Sequence, residues 1–303
     1  MKKLFGAVFS PNRLRLYGWL SLASQILIVV TGGLVRLTGS GLGCPTWPKC
    51  TDDSFVSVPE MGIHGLIEFG NRLLTFVLIV IALLTFIVVR RINKQNRYGL
   101  TWPALLLGLG IIAQALLGGV TVLTGLNSWV VGAHFVLSGI LISIASVLVW
   151  RIYSPSHQPL DYRAVLMAWP IFVIGWVAVL VGVVVTGAGP HAGDAETPRN
   201  GLDLEIWQHL HSYPAYLMTA MVALALYLVY SKLGFQLANP AFKSLFILLV
   251  TAIAQAILGI VQTRLGVPAL LAGIHMLGAA LIISLLTFQL LSLRSKYQRT
   301  VAS

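Results

Sequence analysis

Charge is scarce in this chain of 303 residues: 10% are charged, against 57% hydrophobic. With a mean hydropathy of +0.87, no soluble domain of this length could hide so much apolar surface, so the bilayer must be its solvent. Acidic side chains are the scarcest, nine against 20 Lys and Arg, giving a net charge of +11. Such an excess could suit a nucleic-acid binder, but its placement points elsewhere. Fifteen of the 20 basic residues fall within 2–15, 90–97, 151–163, 232–243 and 294–299. There is no long Arg/Ser-rich transit segment, and the first apolar run is too long for a signal-peptide core, so it is expected to be retained.

Eight stretches are long enough to cross a bilayer, roughly 16–35, 61–89, 101–124, 129–150, 166–187, 206–230, 244–264 and 269–292. With eight spans, the five basic places share one side. The positive-inside rule makes that side the cytoplasm, with both termini on it, and a bacterial plasma membrane is the simplest home. Seven of the nine acidic residues (Asp52, Asp53, Glu60, Asp194, Glu196, Asp203 and Glu205) fall in loops of the other side. The charge therefore reports orientation and membrane lipid, with no nucleic-acid partner.

The chain repeats itself. Gln114-Ala115-Leu116-Leu117-Gly118 followed by His134 returns as Gln255-Ala256-Ile257-Leu258-Gly259 followed by His275, both displaced by 141 (255 − 114 and 275 − 134). The expected fold class is thus an all-α membrane protein with eight transmembrane helices arranged as two pseudo-symmetric four-helix bundles. The N-terminal bundle is residues 1–150, the C-terminal bundle 166–303, and a cytoplasmic linker 151–165 joins them. Small residues at Gly108-Leu109-Gly110, Gly118-Gly119 and Gly278-Ala279-Ala280 are read as helix-packing positions.

Histidine is expensive in a bilayer, so a duplicated one needs a partner. His134 and His275 each lie some 5–6 residues from the outer end of a span, about 8–9 Å deep at 1.5 Å per residue. On span six, His209 and His211 are two apart and face different sides. Aligning Glu68-Phe69-Gly70-Asn71 with Gln208-His209-Leu210-His211, displaced by 140 (211 − 71), makes His211 the counterpart of Asn71. His211 and His275 then sit at equal depth on neighbouring helices, an arrangement that ligates a haem iron from both faces. The bland reading of a lone intramembrane histidine is an interhelical hydrogen bond. A copper or zinc site is the weaker alternative, because no Cys, Met or carboxylate cluster accompanies the pair. His157, in the linker, and His191, in an external loop, are expected to be solvated.

His64, Glu68 and Asn71 share one face of span two. Glu68 is the only carboxylate expected inside a span, either handling protons or paired with Arg72 four residues on. Cys44 and Cys50 bracket an external loop; a disulfide is the first reading, with a reversible redox pair or free thiols left open. Arg36, Arg199 and Arg264 stand where haem propionates would, and interfacial snorkelling accounts for them equally well.

Thr38-Gly39-Ser40-Gly41-Leu42-Gly43-Cys44, Trp47-Pro48-Lys49-Cys50 and Ile67-Glu68-Phe69 resemble the first external loop and second helix of the haem A synthase family. The helices bearing His134, Gln208 through His211, and His275 resemble its remaining haem-binding spans, so the likeness covers nearly the whole chain. It implies an enzyme that oxidises the C8 methyl of haem O to a formyl group. It implies a haem b cofactor (iron protoporphyrin IX) between His211 and His275, and substrate haem O on His134 in the N-terminal half. It makes Glu68 a catalytic candidate and Cys44–Cys50 a disulfide, as seen in some members. The implied partners are haem O, handed over by haem O synthase, and an unidentified electron acceptor. The family's common pattern has a histidine three residues after the glutamate, where this chain has Asn71. Either His64 substitutes, from about 10 Å along the helix, or His134 binds the substrate iron alone or with some other ligand. Two further readings compete: a b-type cytochrome that only passes electrons, and a small-solute transporter.

Overall fold

A computed structural model describes residues 13–92, 99–153 and 160–294. Its helices are α1 (Leu14–Leu37), α2 (Gly62–Ile92), α3 (Thr101–Leu123), α4 (Ser128–Tyr153), α5 (Tyr162–Leu166), α6 (Ala168–Ala188), α7 (Leu204–Leu233), α8 (Pro240–Arg264) and α9 (Ala269–Arg294). Eight spans among the described residues are long and apolar enough to cross a membrane, α5 and α6 together making one of them. His157, most of the linker's polar run, and the basic residues at 2–3, 94–97 and 296–299 lie outside the described residues.

Helices α7 and α8 start before the apolar stretches read from sequence, because their first residues are set by caps rather than by hydropathy. Asp203 accepts from the Ile206 amide at 2.9 Å, and Asn239 accepts from Ala241 and Phe242 ahead of a proline at the first helical position. Starting α7 at Leu204 places Glu205 inside a helix, contrary to its expected loop position. It sits in the first turn, where free amides favour an acid. The break between α5 and α6 falls at Met167, just after Leu166, whose carbonyl the ring nitrogen of Pro170 four residues on cannot bond.

Helices α1 to α4 pack in a ring, each against its two chain neighbours, with α4 closing on α1. Helices α6 to α9 form a second such ring, α9 closing on α6. In each ring the second and fourth helices lie diagonally, facing one another through the middle. The rings join where α9 packs on α1 and α4, and α4 on α6. Ser146 and Ser284 share a 2.9 Å hydrogen bond across that seam, and Gly139 lets Trp176 and Ile283 approach; a Cβ there would meet them at 2.9 and 3.1 Å. Of the small residues read as packing positions, Gly110 meets Leu141 and Gly278 meets Gln255, whereas Gly108 has open space beside it. Large apolar side chains such as Leu27, Phe76, Leu109 and Ile257 cover the outside, as lipid-facing surfaces require.

The two short turns repeat each other bond for bond. Leu126 donates to Thr121 at 2.8 Å and Val267 to Gln262 at 2.7 Å, 141 residues on, each preceded by a glycine in the left-handed region. Leu126 and Val267 are themselves the positive-φ non-glycine residues among those described, at 59° and 58°. Three of the four loops at this end are stitched together by hydrogen bonds. Gly41 donates to the Gly193 carbonyl at 2.8 Å, and Arg36 to the carbonyls of His191 (2.6 Å) and Thr186 (2.8 Å). His191 is therefore no solvated side chain: half-buried, it donates through Nε2 to Val267 O at 2.8 Å.

Candidate functional site

In the second ring, His211 on α7 and His275 on α9 turn towards each other across the diagonal, their ring centroids 6.3 Å apart and their planes 76° apart. His209, two residues away, is exposed. The His211 Nδ1 lies 2.9 Å from the Ala178 carbonyl, which can only accept, so Nδ1 carries the proton and Nε2 keeps its lone pair. Imidazole nitrogens sit about 2.0–2.1 Å from a bound metal, so two rings holding one iron from opposite faces have centroids roughly 6 Å apart. The pair therefore suits an axially ligated iron porphyrin.

Glycines make room for these rings. A Cβ on Gly182 would lie 2.9 Å from His211 Cε1, and one on Gly259 3.5 Å from His275 Cε1. Gln255 donates to the His275 carbonyl at 2.8 Å, fixing the α8–α9 register. On the loop side of the pair, a cavity of about 450 Å³ opens between Arg199, Gln208, Thr263 and Val267. Arg199 donates to the carbonyls of Thr197 and Pro190 beside it.

The first ring repeats half of this plan. His134 on α4 sits beside Gly118, whose Cβ would lie 3.2 Å from Cε1, and Gln114 donates to the His134 carbonyl at 3.1 Å. On the diagonal helix α2 stands Asn71, its Oδ1 buried without a hydrogen-bond partner. His64 is exposed and bonds Ser40 Oγ through Nδ1 at 2.8 Å, so its partner is the loop rather than Glu68.

Glu68 is buried and fully engaged. Arg72 donates to its Oε1 through Nη2 (2.6 Å) and Nε (3.1 Å), and the Cys44 amide donates to Oε2 at 2.7 Å. The guanidinium also donates to the carbonyls of Cys44 (2.8 Å), Thr46 and Lys49 (3.1 Å each). Arg72 thus clamps the Cys44–Cys50 loop onto α2, and a disulfide closes that loop. Trp47, at its tip, lies flat against Gly119 of α3, where a Cβ would come within 2.4 Å of the indole. The loop accordingly bridges α2 and α3 over the mouth of the first ring. Sequence alone singled out neither the contacts of Arg72 with three loop carbonyls nor the seat of Trp47; small Gly119 was their only trace.

Of the arginines read as propionate partners, Arg36 is bonded to the His191 carbonyl of the loop and the Thr186 carbonyl at the end of α6, and Arg264 is exposed on the last turn of α8. The structure thus gathers His211 with His275, and Glu68 with the disulfide loop, while His64 turns outward.

Comparison with known proteins agrees in kind. The chain is 33% identical over 141 residues to the heme A synthase of Bacillus pumilus (45% of this chain, 43% of that protein). It is 37% identical over 155 residues to that of Lysinibacillus sphaericus (50% and 48%). With the heme A synthase of Listeria monocytogenes serotype 4a the match is 25% over 306 residues, covering 94% and 97%. Against the first two the aligned segment spans less than half of the relative's length. Residues 15–61 and 54–287 match the COX15-CtaA family of cytochrome oxidase assembly proteins, and the chain belongs to that family.

Proposed function

We propose that this protein is a haem A synthase, a membrane oxidoreductase that converts the C8 methyl of haem O to a formyl group. The observation that carries the reading is the His211–His275 pair, 6.3 Å between centroids, in the same chain as a buried carboxylate fastened to a disulfide loop. In this reading the halves are related by duplication. His211 and His275 of the C-terminal ring would hold haem b, and His134 of the N-terminal ring would receive the substrate haem O. The haem b would supply a resident electron carrier beside the substrate.

The chain's own residues do the rest. The disulfide loop, clamped by Arg72 and seated by Trp47, covers the mouth of the substrate ring. Glu68 presents a fixed negative charge beside it, placed to accept a proton or to stabilise positive charge as the methyl is oxidised. Arg72 and the Cys44 amide hold that carboxylate in one orientation. The site opens on the extracytoplasmic side of a bacterial plasma membrane, with both termini cytoplasmic. Haem O synthase delivers the substrate, water supplies the formyl oxygen, and a separate acceptor takes the four electrons while four protons are released.

The experiment is pigment extraction from cells that make haem O, with and without this chain. Formyl haem appears only when the chain is present, and Glu68→Ala abolishes it while leaving most bound haem in place. Bound haem without formyl pigment would instead identify an electron-transfer cytochrome, and a purified protein without Soret absorption would exclude both.

A further inference from the structure

The two rings are unequal at one position, and the inequality falls on a metal ligand. Asn71 and His211 occupy the same place in their rings: on the second helix, 140 residues apart, each facing a glycine of the first helix. A Cβ on Gly182 would lie 2.9 Å from His211 Cε1, and one on Gly32 3.9 Å from Asn71 Nδ2. Their diagonal partners match too. His134 and His275 each have a buried Nδ1 without a partner, and each helix carbonyl takes a bond from the matching glutamine. One ring therefore faces imidazole with imidazole. The other faces imidazole with a carboxamide.

A carboxamide ends one atom short of the imidazole ε nitrogen, so from the same backbone place it stops short of an iron that His211 would reach. Its oxygen is also a hard donor, poorly suited to replace imidazole on iron. Nothing else on α2 is poised to substitute, since His64 lies about 10 Å of helix rise away and is turned to Ser40. The Asn71 Oδ1 is meanwhile buried and unbonded, a polar group that demands a partner.

We propose that the N-terminal ring binds its haem through His134 alone, leaving the opposite coordination position open to a small exogenous ligand, with the Asn71 carboxamide facing it. This rests on the haem reading above but adds a ligand-binding site at the substrate iron. The C-terminal haem, held from both faces, has no such position.

The test uses the purified full chain loaded with haem O, reduced with dithionite and titrated with carbon monoxide. The low-spin signal of the His211–His275 haem serves as the folding control. Wild type is expected to bind carbon monoxide at one haem, and His134→Ala to lose that haem while keeping the control signal. Asn71→His should weaken carbon monoxide binding at least tenfold by supplying the missing imidazole. Asn71→Leu should retain the binding, because it adds no ligand. The proposal is overturned if the wild-type protein binds no carbon monoxide, if its first ring takes up no haem, or if Asn71→His leaves affinity unchanged. It is equally overturned if Asn71→Leu closes the site as histidine would. Loss of the control signal from wild type would defeat the haem reading itself, a separate outcome.

Discussion

The Cys44 amide donates to Glu68 Oε2 at 2.7 Å, so a residue of the disulfide sets the orientation of the buried carboxylate. Loop and helix are one unit: the same carboxylate pairs with Arg72, which returns to the Cys44 carbonyl at 2.8 Å.

Arg72 should behave as a positioning residue. Arg72→Ala leaves Glu68 without its cation and the Cys44 and Thr46 carbonyls without their side-chain donor, the Lys49 carbonyl keeping the Thr46 hydroxyl, and costs about 1–3 kcal/mol of stability. Arg72→Lys keeps the charge but not the fork, and should recover stability better than formyl-haem production. Thermal melts beside pigment yields check this. Equal recovery of both by lysine would show that only charge matters.

Opening the disulfide should loosen the lid over the first ring. Closing a loop between residues six apart is worth roughly 2 kcal/mol in the chain-entropy account. Cys44→Ser with Cys50→Ser is expected to lower the melting temperature and product yield while the His211–His275 haem spectrum stays unchanged. A lost haem spectrum would mean that the loop supports both rings.

Gly182 and Gly259 offer a graded pair. A methyl at Gly182 would meet the His211 ring at 2.9 Å, closer than carbon atoms tolerate, whereas at Gly259 it would touch the His275 ring at 3.5 Å. Gly182→Ala should therefore displace its ring, at an overpacking cost of about 1–3 kcal/mol, and perturb the low-spin haem signal. Gly259→Ala should leave that signal nearly intact. Identical spectra for the two variants would refute the ring placement.

Gln289 provides a control remote from the chemistry. It is fully buried and donates to the Ala168 carbonyl at 2.9 Å, at the end of α9 far from His275. Gln289→Leu removes one hydrogen bond but also a buried Oε1 that has no partner, so it should cost about 1 kcal/mol or less, read from the melting temperature, with haem content per folded protein unchanged.

Much of this was legible in the chain because a bilayer leaves few options. Backbone groups without water must bond within a helix, so apolar runs of the right length become spans, and all eight appeared near their expected places. The 141-residue displacement marked His134 and His275, and the structure repeats it in the Leu126 and Val267 turns. Polar side chains with local choices were harder. His191 was read as solvated but reaches a turn 76 residues away. Arg36 was read as a propionate partner or a snorkelling cation, yet it binds carbonyls about 150 residues off. Helix ends shifted where Asp203 or Asn239 supplied a cap that hydropathy does not register.

The amino-acid order by itself determined the number of spans, the repeat, and which imidazoles stand at matching depth, since each follows from hydrophobic length and helical rise. Only the tertiary structure decided that His211 and His275 face each other at 6.3 Å and that Glu68 is locked to Arg72 and the Cys44 amide. Helical periodicity tells which face a residue occupies, but not which helix that face meets. Diagonal packing of a four-helix ring supplies the missing partner.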